Sequence, residues 1–240
     1  MAKRDLPDGL QAGEAISTSE PVGPQIYQQL RNRIISGDLL PDVRLSETEI
    51  AAAYDTSRQP VREAFIKLAG QQLVSVRPQR GTFVTRISVP AVLAARFIRE
   101  SAEADIVRQV AQTVTQAGLN LLLSNIGQQE TARERGDAAA FVSLDDAFHR
   151  LLADLAGQRT VADFLEGLKS QMNRVRHIAV QQSVPEKLLI QHTDILAALQ
   201  RRDPDSAENA MRTHMRQVLV DLPDIMQARP GFFDTHEIDL

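Results

Sequence analysis

Four side chains in the C-terminal half of this 240-residue sequence have the types and spacing to hold a metal ion. Asp145 and His149, in SLDDAFHRLL, stand at i and i+4, which on a helix places a carboxylate and an imidazole on one face about one turn apart. His192 opens QHTDILAALQ, and His214 lies late in AENAMRTHMRQV. Facing helices of a bundle can converge such residues on one point, so one aspartate and three histidines are candidate ligands for a divalent cation. Neutral imidazole suits Zn, Ni, Cu or Fe, and the carboxylate admits Mn. Spacing alone leaves a second reading open, because Asp-x-x-x-His recurs on helices by chance and histidines are often exposed or satisfied structurally.

A different chemistry is available near the N-terminus, where DTSRQPVREAF sets Arg58 and Arg62 four residues apart behind a Thr-Ser pair. A guanidinium fork matches O6 and N7 of guanine, a contact worth ~1–3 kcal/mol of discrimination. Thr56, Ser57 and the free N–H groups of a helix start suit a phosphate oxygen. From Gln25 to Arg86 there are nine basic residues against six acidic ones, although the whole chain carries a formal charge of -4. The basic surplus is therefore confined to one small segment, and distribution matters more than the sum for a polyanion partner.

Both sets need elements to position them. Residues 1–22 are polar and aperiodic and are expected to form a mobile arm. Ile26, Leu30 and Ile34 recur every four residues, and Gly37 supplies a stop. Ser46-x-x-Glu49 is a capping box that opens a second helix. Pro60 falls in the first turn of a third, whose apolar stripe is Val61, Phe65 and Leu68 and which ends at Gly70. LVSVRPQRGTFVTR then reads as two strands around a Pro-Gln-Arg-Gly turn. Helix, helix, turn, helix and hairpin make a winged helix-turn-helix, assigned to residues 23–87. Its third helix would carry Arg58 and Arg62 into a major groove, and the turn would carry Arg80 into the neighbouring minor groove, with Gly81 allowing close approach.

After ISVP the pattern becomes helical. About six helices are expected, broken near Gly118, Gly136, Gly157, Pro185 and Pro204, in an all-helical domain over 88–222 with a tail at 223–240. The fold class is thus mainly α: a winged helix-turn-helix followed by a helical bundle. At 43% hydrophobic the chain can bury a real core. Absence of cysteine excludes disulfides and thiolate metal sites, and no apolar run reaches the ~18 residues of a membrane span, so a soluble, cytoplasmic protein is expected.

The ordered set from Ile34 to Val84, IISGDLLPDVRLSETEIAAAYDTSRQPVREAFIKLAGQQLVSVRPQRGTFV, resembles the GntR family of bacterial transcription regulators. The resemblance implies DNA contact by Ser57, Arg58, Gln59 and Arg62 and a wing tip at Arg80 and Gly81. Many members have an arginine that touches DNA where this chain has Thr48, which implies a shifted operator preference. From about Val89 to Leu222 the chain is similar to the FCD ligand-binding domain of the FadR subfamily. That likeness implies a metal on Asp145, His149, His192 and His214, of the Zn, Ni or Mn type, with His177 and His236 outside the ligand set.

It further implies a small carboxylic-acid effector at the metal beside arginines. Arg99 matches a position that often faces the pocket. Arg174 and Arg176 are weaker candidates for the pocket, since two arginines two apart on a helix cannot share a face, and a surface salt bridge is the favoured reading for each. The implied function is a ligand-responsive regulator, a homodimer on double-stranded operator DNA and not an enzyme. The competing reading is a metal-dependent hydrolase fused to a DNA-binding segment, in which one aspartate and three histidines activate water. No His-Glu-x-x-His and no obvious paired general base support it.

Overall fold

The computed structural model describes residues 16–17, 19–182 and 186–234, and it divides into two compact units, 1–89 with 229–240 and 90–228. The first unit contains helices α1 (Val22–Ser36), α2 (Glu47–Ala53) and α3 (Arg58–Gly70) and strands β1 (Arg44–Leu45), β2 (Val74–Arg77) and β3 (Gly81–Val84). The helix periods are those of the sequence: Ile26, Leu30 and Ile34 of α1 and Val61, Phe65 and Leu68 of α3 are all buried in one core. Gly37 ends α1 at φ 84°, a left-handed conformation that costs glycine little. Ser46 caps α2, its Oγ accepting from Glu49 N at 3.3 Å.

The sheet is antiparallel in the order β1-β3-β2, with Arg44 opposite Phe83 and Val76 opposite Thr82. β1, only two residues long, is too short to leave a periodic signal. Most of the expected N-terminal arm lies outside the described residues, but Ile16 packs on the core and Ser17 N donates to Gln25 Oε1 at 2.7 Å. Residues 229–234 also belong to this unit. Phe233 is fully buried, and Ile87 N donates to Phe232 O at 2.7 Å.

The second unit is all helical: α4 (Val89–Thr113), α5 (Gln116–Glu134), α6 (Ala138–Leu155), α7 (Arg159–Leu168), α8 (Ser170–Gln182), α9 (Glu186–Gln200) and α10 (Pro204–Ala228). Phe148, Leu152, Ile195, Leu199 and Met211 centre its core. Gly136 and Gly157 end α5 and α6 at φ 65° and 70° as expected.

Gly118 does not break a helix. The break lies at Val114 and Thr115, where Thr115 Oγ1 caps α5 by accepting from Gly118 N at 3.2 Å. A Cβ at Gly118 would lie 2.9 Å from Leu155 Cδ2, so glycine there serves close packing of α5 on α6. An additional break at Lys169 separates α7 from α8. α10 continues beyond Leu222 to Ala228, so the helical unit is longer than 88–222. Among the described residues, no helix is long and apolar enough to cross a membrane.

Candidate metal centre and DNA-binding face

Asp145 and His149 on α6, His192 on α9 and His214 on α10 meet in the second unit, with one ligand atom from each lying within 4.8 Å of all the others. His149 Nε2 is 3.1 Å from His214 Nε2, which is 3.3 Å from His192 Nε2. Asp145 Oδ1 is 3.5 Å from His192 Nε2, and its Oδ2 is 3.9 Å from His149 Nε2. All four residues are buried, His192 completely. The i,i+4 spacing on α6 therefore brings its two groups together, and the two later histidines come from the α9–α10 hairpin.

The protons on these rings follow from their outer partners. Leu144 O accepts from Asn125 Nδ2 at 3.1 Å, which turns Asn125 Oδ1 toward Gln129 Nε2 at 2.6 Å and Gln129 Oε1 toward His192 Nδ1 at 2.8 Å. A backbone carbonyl only accepts, so the direction of the whole chain is fixed and His192 carries its proton on Nδ1. Asp221 Oδ1 likewise accepts from Gln217 Nε2 at 3.0 Å, Gln217 Oε1 from Gln191 Nε2 at 3.0 Å, and Gln191 Oε1 faces His214 Nδ1 at 3.1 Å. His149 Nδ1 lies 2.5 Å from Glu103 Oε2 of α4.

Each imidazole thus presents Nδ1 to an outward acceptor and the Nε2 lone pair to a common point. With His214 Nε2 3.1 Å from that of His149 and 3.3 Å from that of His192, beside a carboxylate, the lone pairs repel one another unless a cation lies between them. The donor set of three nitrogens and one oxygen fits Zn, Ni or Mn.

Burial favours the same protonation states. It pushes the His192 pKa down to about 3 against the opposing pull of Asp145. Burial also holds His214 well below the usual histidine range, reinforced by His192 and His149. Both rings stay neutral, as metal ligation requires. For Asp145 burial works against ionisation, but the Arg176 guanidinium outweighs it and keeps the carboxyl below its ordinary value. For Glu103 burial is again overcome, by Arg99 and then His149, and the carboxyl sits well below its usual range.

A cavity of about 70 Å³ opens onto this cluster, its wall including Asp145, His149 and His214. Arg99 lines it, 3% exposed, its Nε donating to Glu103 Oε1 at 2.7 Å and its Nη1 lying 3.9 Å from Met172 Sδ. The reading of Arg174 and Arg176 as surface residues is wrong. Arg176 lines the cavity, bridging Asp145 through Nη2 and Asp146 through Nη1, the latter at 2.9 Å. Arg174 is 1% exposed and not part of the cavity wall, and burial pulls its pKa down to about 10. Both lie on a stretch of α8 where Met172, Asn173 and Val175 are also buried, so diverging directions on this helix do not lead to solvent.

Glu103, Gln129 and Gln191 are the site residues that sequence reasoning missed. Only Glu103 left a signal, as the i+4 partner of Arg99. His177 lies on α8 outside the cluster, and His236 lies outside the described residues.

In the first unit Ser57, Arg58, Gln59 and Arg62 occupy the exposed start of α3. Ser57 is the N-cap but makes no side-chain cap bond. Arg58, with a side chain 67% exposed, reaches Glu47 Oε2 on α2 at 2.7 Å, and Gln59 Nε2 donates to Glu63 Oε1 at 3.1 Å. Arg80 is exposed at the turn between β2 and β3, closed by Arg80 N donating to Arg77 O at 3.0 Å. Gly81 has φ 112°, and a Cβ there would lie 2.9 Å from Arg44 Nε. Thr48 is exposed on α2.

Comparison with known proteins agrees with both halves. Residues 23–84 match the model of bacterial regulatory proteins of the gntR family, and residues 95–217 match the FCD domain. The HTH-type transcriptional repressor RspR of Escherichia coli is 40% identical over 219 residues, covering 91% of this chain and 96% of RspR. The HTH-type transcriptional repressor NanR of Cronobacter sakazakii is 29% identical, covering 83% of each chain. Among solved structures, E. coli McbR/YncC has the same fold, with a TM-score of 0.72 over 87% of this chain and 99% of that one at 21% identity. RspR and NanR are both named transcriptional repressors, which removes the hydrolase reading. The chain belongs to the GntR family of transcription regulators, in the branch whose winged helix-turn-helix is followed by an FCD domain.

Proposed function

We propose that this protein is a repressor that binds double-stranded operator DNA as a homodimer and is controlled by a small organic acid bound beside a divalent metal in its FCD domain. The observation that carries the reading is the orientation of three histidine Nε2 lone pairs and the Asp145 carboxylate toward one point beside a cavity. Asp145, His149, His192 and His214 would hold the ion. When bound, the ion supplies a Lewis-acidic position for a carboxylate oxygen. Arg99 offers its guanidinium to the same carboxylate, and Glu103 holds Arg99 and His149 in register from one side chain. Gln129 and Gln191 fix the other two rings.

In the winged domain, Arg58 and Arg62 read guanine edges, Ser57 and Gln59 position the helix start on the backbone, and Arg80 with Gly81 brings the wing to the minor groove. Effector controls DNA affinity by binding one arrangement of the dimer's two winged domains better than another. The sign is taken from RspR and NanR, both named repressors. A regulator of chromosomal DNA works in the cytoplasm.

Elemental analysis of the purified protein should find one divalent ion per chain. Removing it with a chelator should lower the melting temperature, since an ion that binds only the native state adds stability. His192→Ala and His214→Ala should lose the ion and His177→Ala should keep it. No stoichiometric metal after reloading, or equal loss in His177→Ala, refutes the site.

A further inference from the structure

The cavity that opens on the four-ligand cluster is chemically uneven. One end carries Asp145, His149, His214 and Arg99, and the remainder of the wall is built largely from Met172, Val175, Val180, Leu188, Val218 and Ile225. Of the other polar residues that line it, Arg176, Gln217 and Asp221, each already has partners within the protein. Gln217 donates Nε2 to Asp221 and receives Gln191 Nε2 on its own Oε1, each at 3.0 Å. Asp221 also pairs with Lys187 of α9. Hydroxyl groups on a ligand body lying against that apolar part of the wall would face methyl and thioether groups.

The charges facing the cavity set the number of carboxylates. Arg176 has one terminal nitrogen on Asp145 and the other on Asp146, so its charge is matched within the protein. Arg99 gives its Nε to Glu103 but turns Nη1 toward Met172 Sδ, another residue of the cavity wall, where a thioether is a weak acceptor that an anion displaces. A second carboxylate at the other polar position would meet the anionic Asp221, which repels it, and Lys187 is already engaged there.

We propose that the effector of this cavity is a short monocarboxylate with an apolar body rather than a polyhydroxy or dicarboxylic acid. This rests on the reading of the cavity as the acid-effector site and narrows it to one chemical class. Arg99 and the ligand cluster take the carboxylate, and the chain of the acid lies against Val175, Val180, Leu188, Val218 and Ile225. Each hydroxyl added to that chain leaves a buried polar group unpaired, which weakens binding by about tenfold.

The test uses the full-length, metal-loaded protein and acids of matched carbon number: butanoate and pentanoate against threonate, the trihydroxylated four-carbon acid, and succinate, its dicarboxylic counterpart. Isothermal titration calorimetry and thermal shift read the affinities. Butanoate and pentanoate should bind at least tenfold tighter than threonate or succinate, and Val218→Thr, which places a hydroxyl in the apolar wall, should narrow the gap between butanoate and threonate. Threonate or succinate binding as well as butanoate in the wild-type protein would overturn the class while leaving the acid-effector reading intact. If no acid of any kind bound the metal-loaded protein, the acid-effector reading would fall and this inference with it. The wild-type comparison decides the question even if Val218→Thr does not fold.

Discussion

Glu103 joins the two functions assigned to the helical domain, because one carboxylate oxygen lies 2.5 Å from His149 Nδ1 and the other accepts from Arg99 Nε at 2.7 Å. A carboxylate behind a ligating histidine orients the ring and raises its basicity, and removing such an outer partner costs about 10–100-fold in metal affinity. Glu103→Gln keeps the shape and loses the charge, so it should weaken metal binding by about that factor in a competition titration against a chromophoric chelator. Unchanged affinity would leave Glu103 as a packing residue. The four candidate ligands are legible in the sequence because the chain has only five histidines and the likeness to the FCD domain singles out three of them with Asp145. Glu103, Gln129 and Gln191 are not, since a carboxylate or amide becomes an outer partner only when tertiary packing sets it against a ring nitrogen.

At the scale of elements, strongly periodic segments could be read from sequence and local breaks less well. The stripes Ile26–Leu30–Ile34 and Val61–Phe65–Leu68 bury the faces their spacing demands. The break expected near Gly118 lies just before it, at Val114 and Thr115; Gly118 itself is not left-handed as Gly136 and Gly157 are, and its lack of a Cβ admits Leu155. The true stop is exposed Thr115, whose hydroxyl satisfies one of the free N–H groups of α5. Thr115→Ala should therefore cost ~1 kcal/mol, roughly 2–4 °C in melting temperature for a chain of this size. A melting curve identical to wild type would show that water replaces the cap at no cost. In the winged domain the Arg58–Glu47 contact also links two elements, α2 and α3. With Arg58 two-thirds exposed the pair is weak, and a DNA base or phosphate can displace it.

Coupling between the two domains belongs to the whole molecule, and one comparison separates the roles of two arginines. Arg62, exposed on α3, would act on DNA whether or not effector is present, so Arg62→Ala should weaken operator binding by ~1–3 kcal/mol and relax preference at one base position. Arg99 would act only when a carboxylate enters the cavity. Truncating it to alanine has a second consequence, because Glu103 would be left as a buried carboxylate without its guanidinium, and breaking a buried pair costs ~3–5 kcal/mol. Arg99→Lys is the cleaner variant: it retains a cation for Glu103 and removes the planar fork that serves two anions at once. Operator affinity without effector should then stay near wild type. A charge-assisted hydrogen bond contributes ~1.5–3 kcal/mol, so the acid concentration for half response should rise by about one to two decades. Operator-binding titrations across pentanoate concentrations, with wild type, Arg99→Lys and Arg62→Ala all metal-loaded, measure both quantities together. If Arg99→Lys responds like wild type, the guanidinium serves Glu103 alone and the carboxylate is held elsewhere; if it loses operator binding without effector, Arg99 supports the DNA-binding state itself.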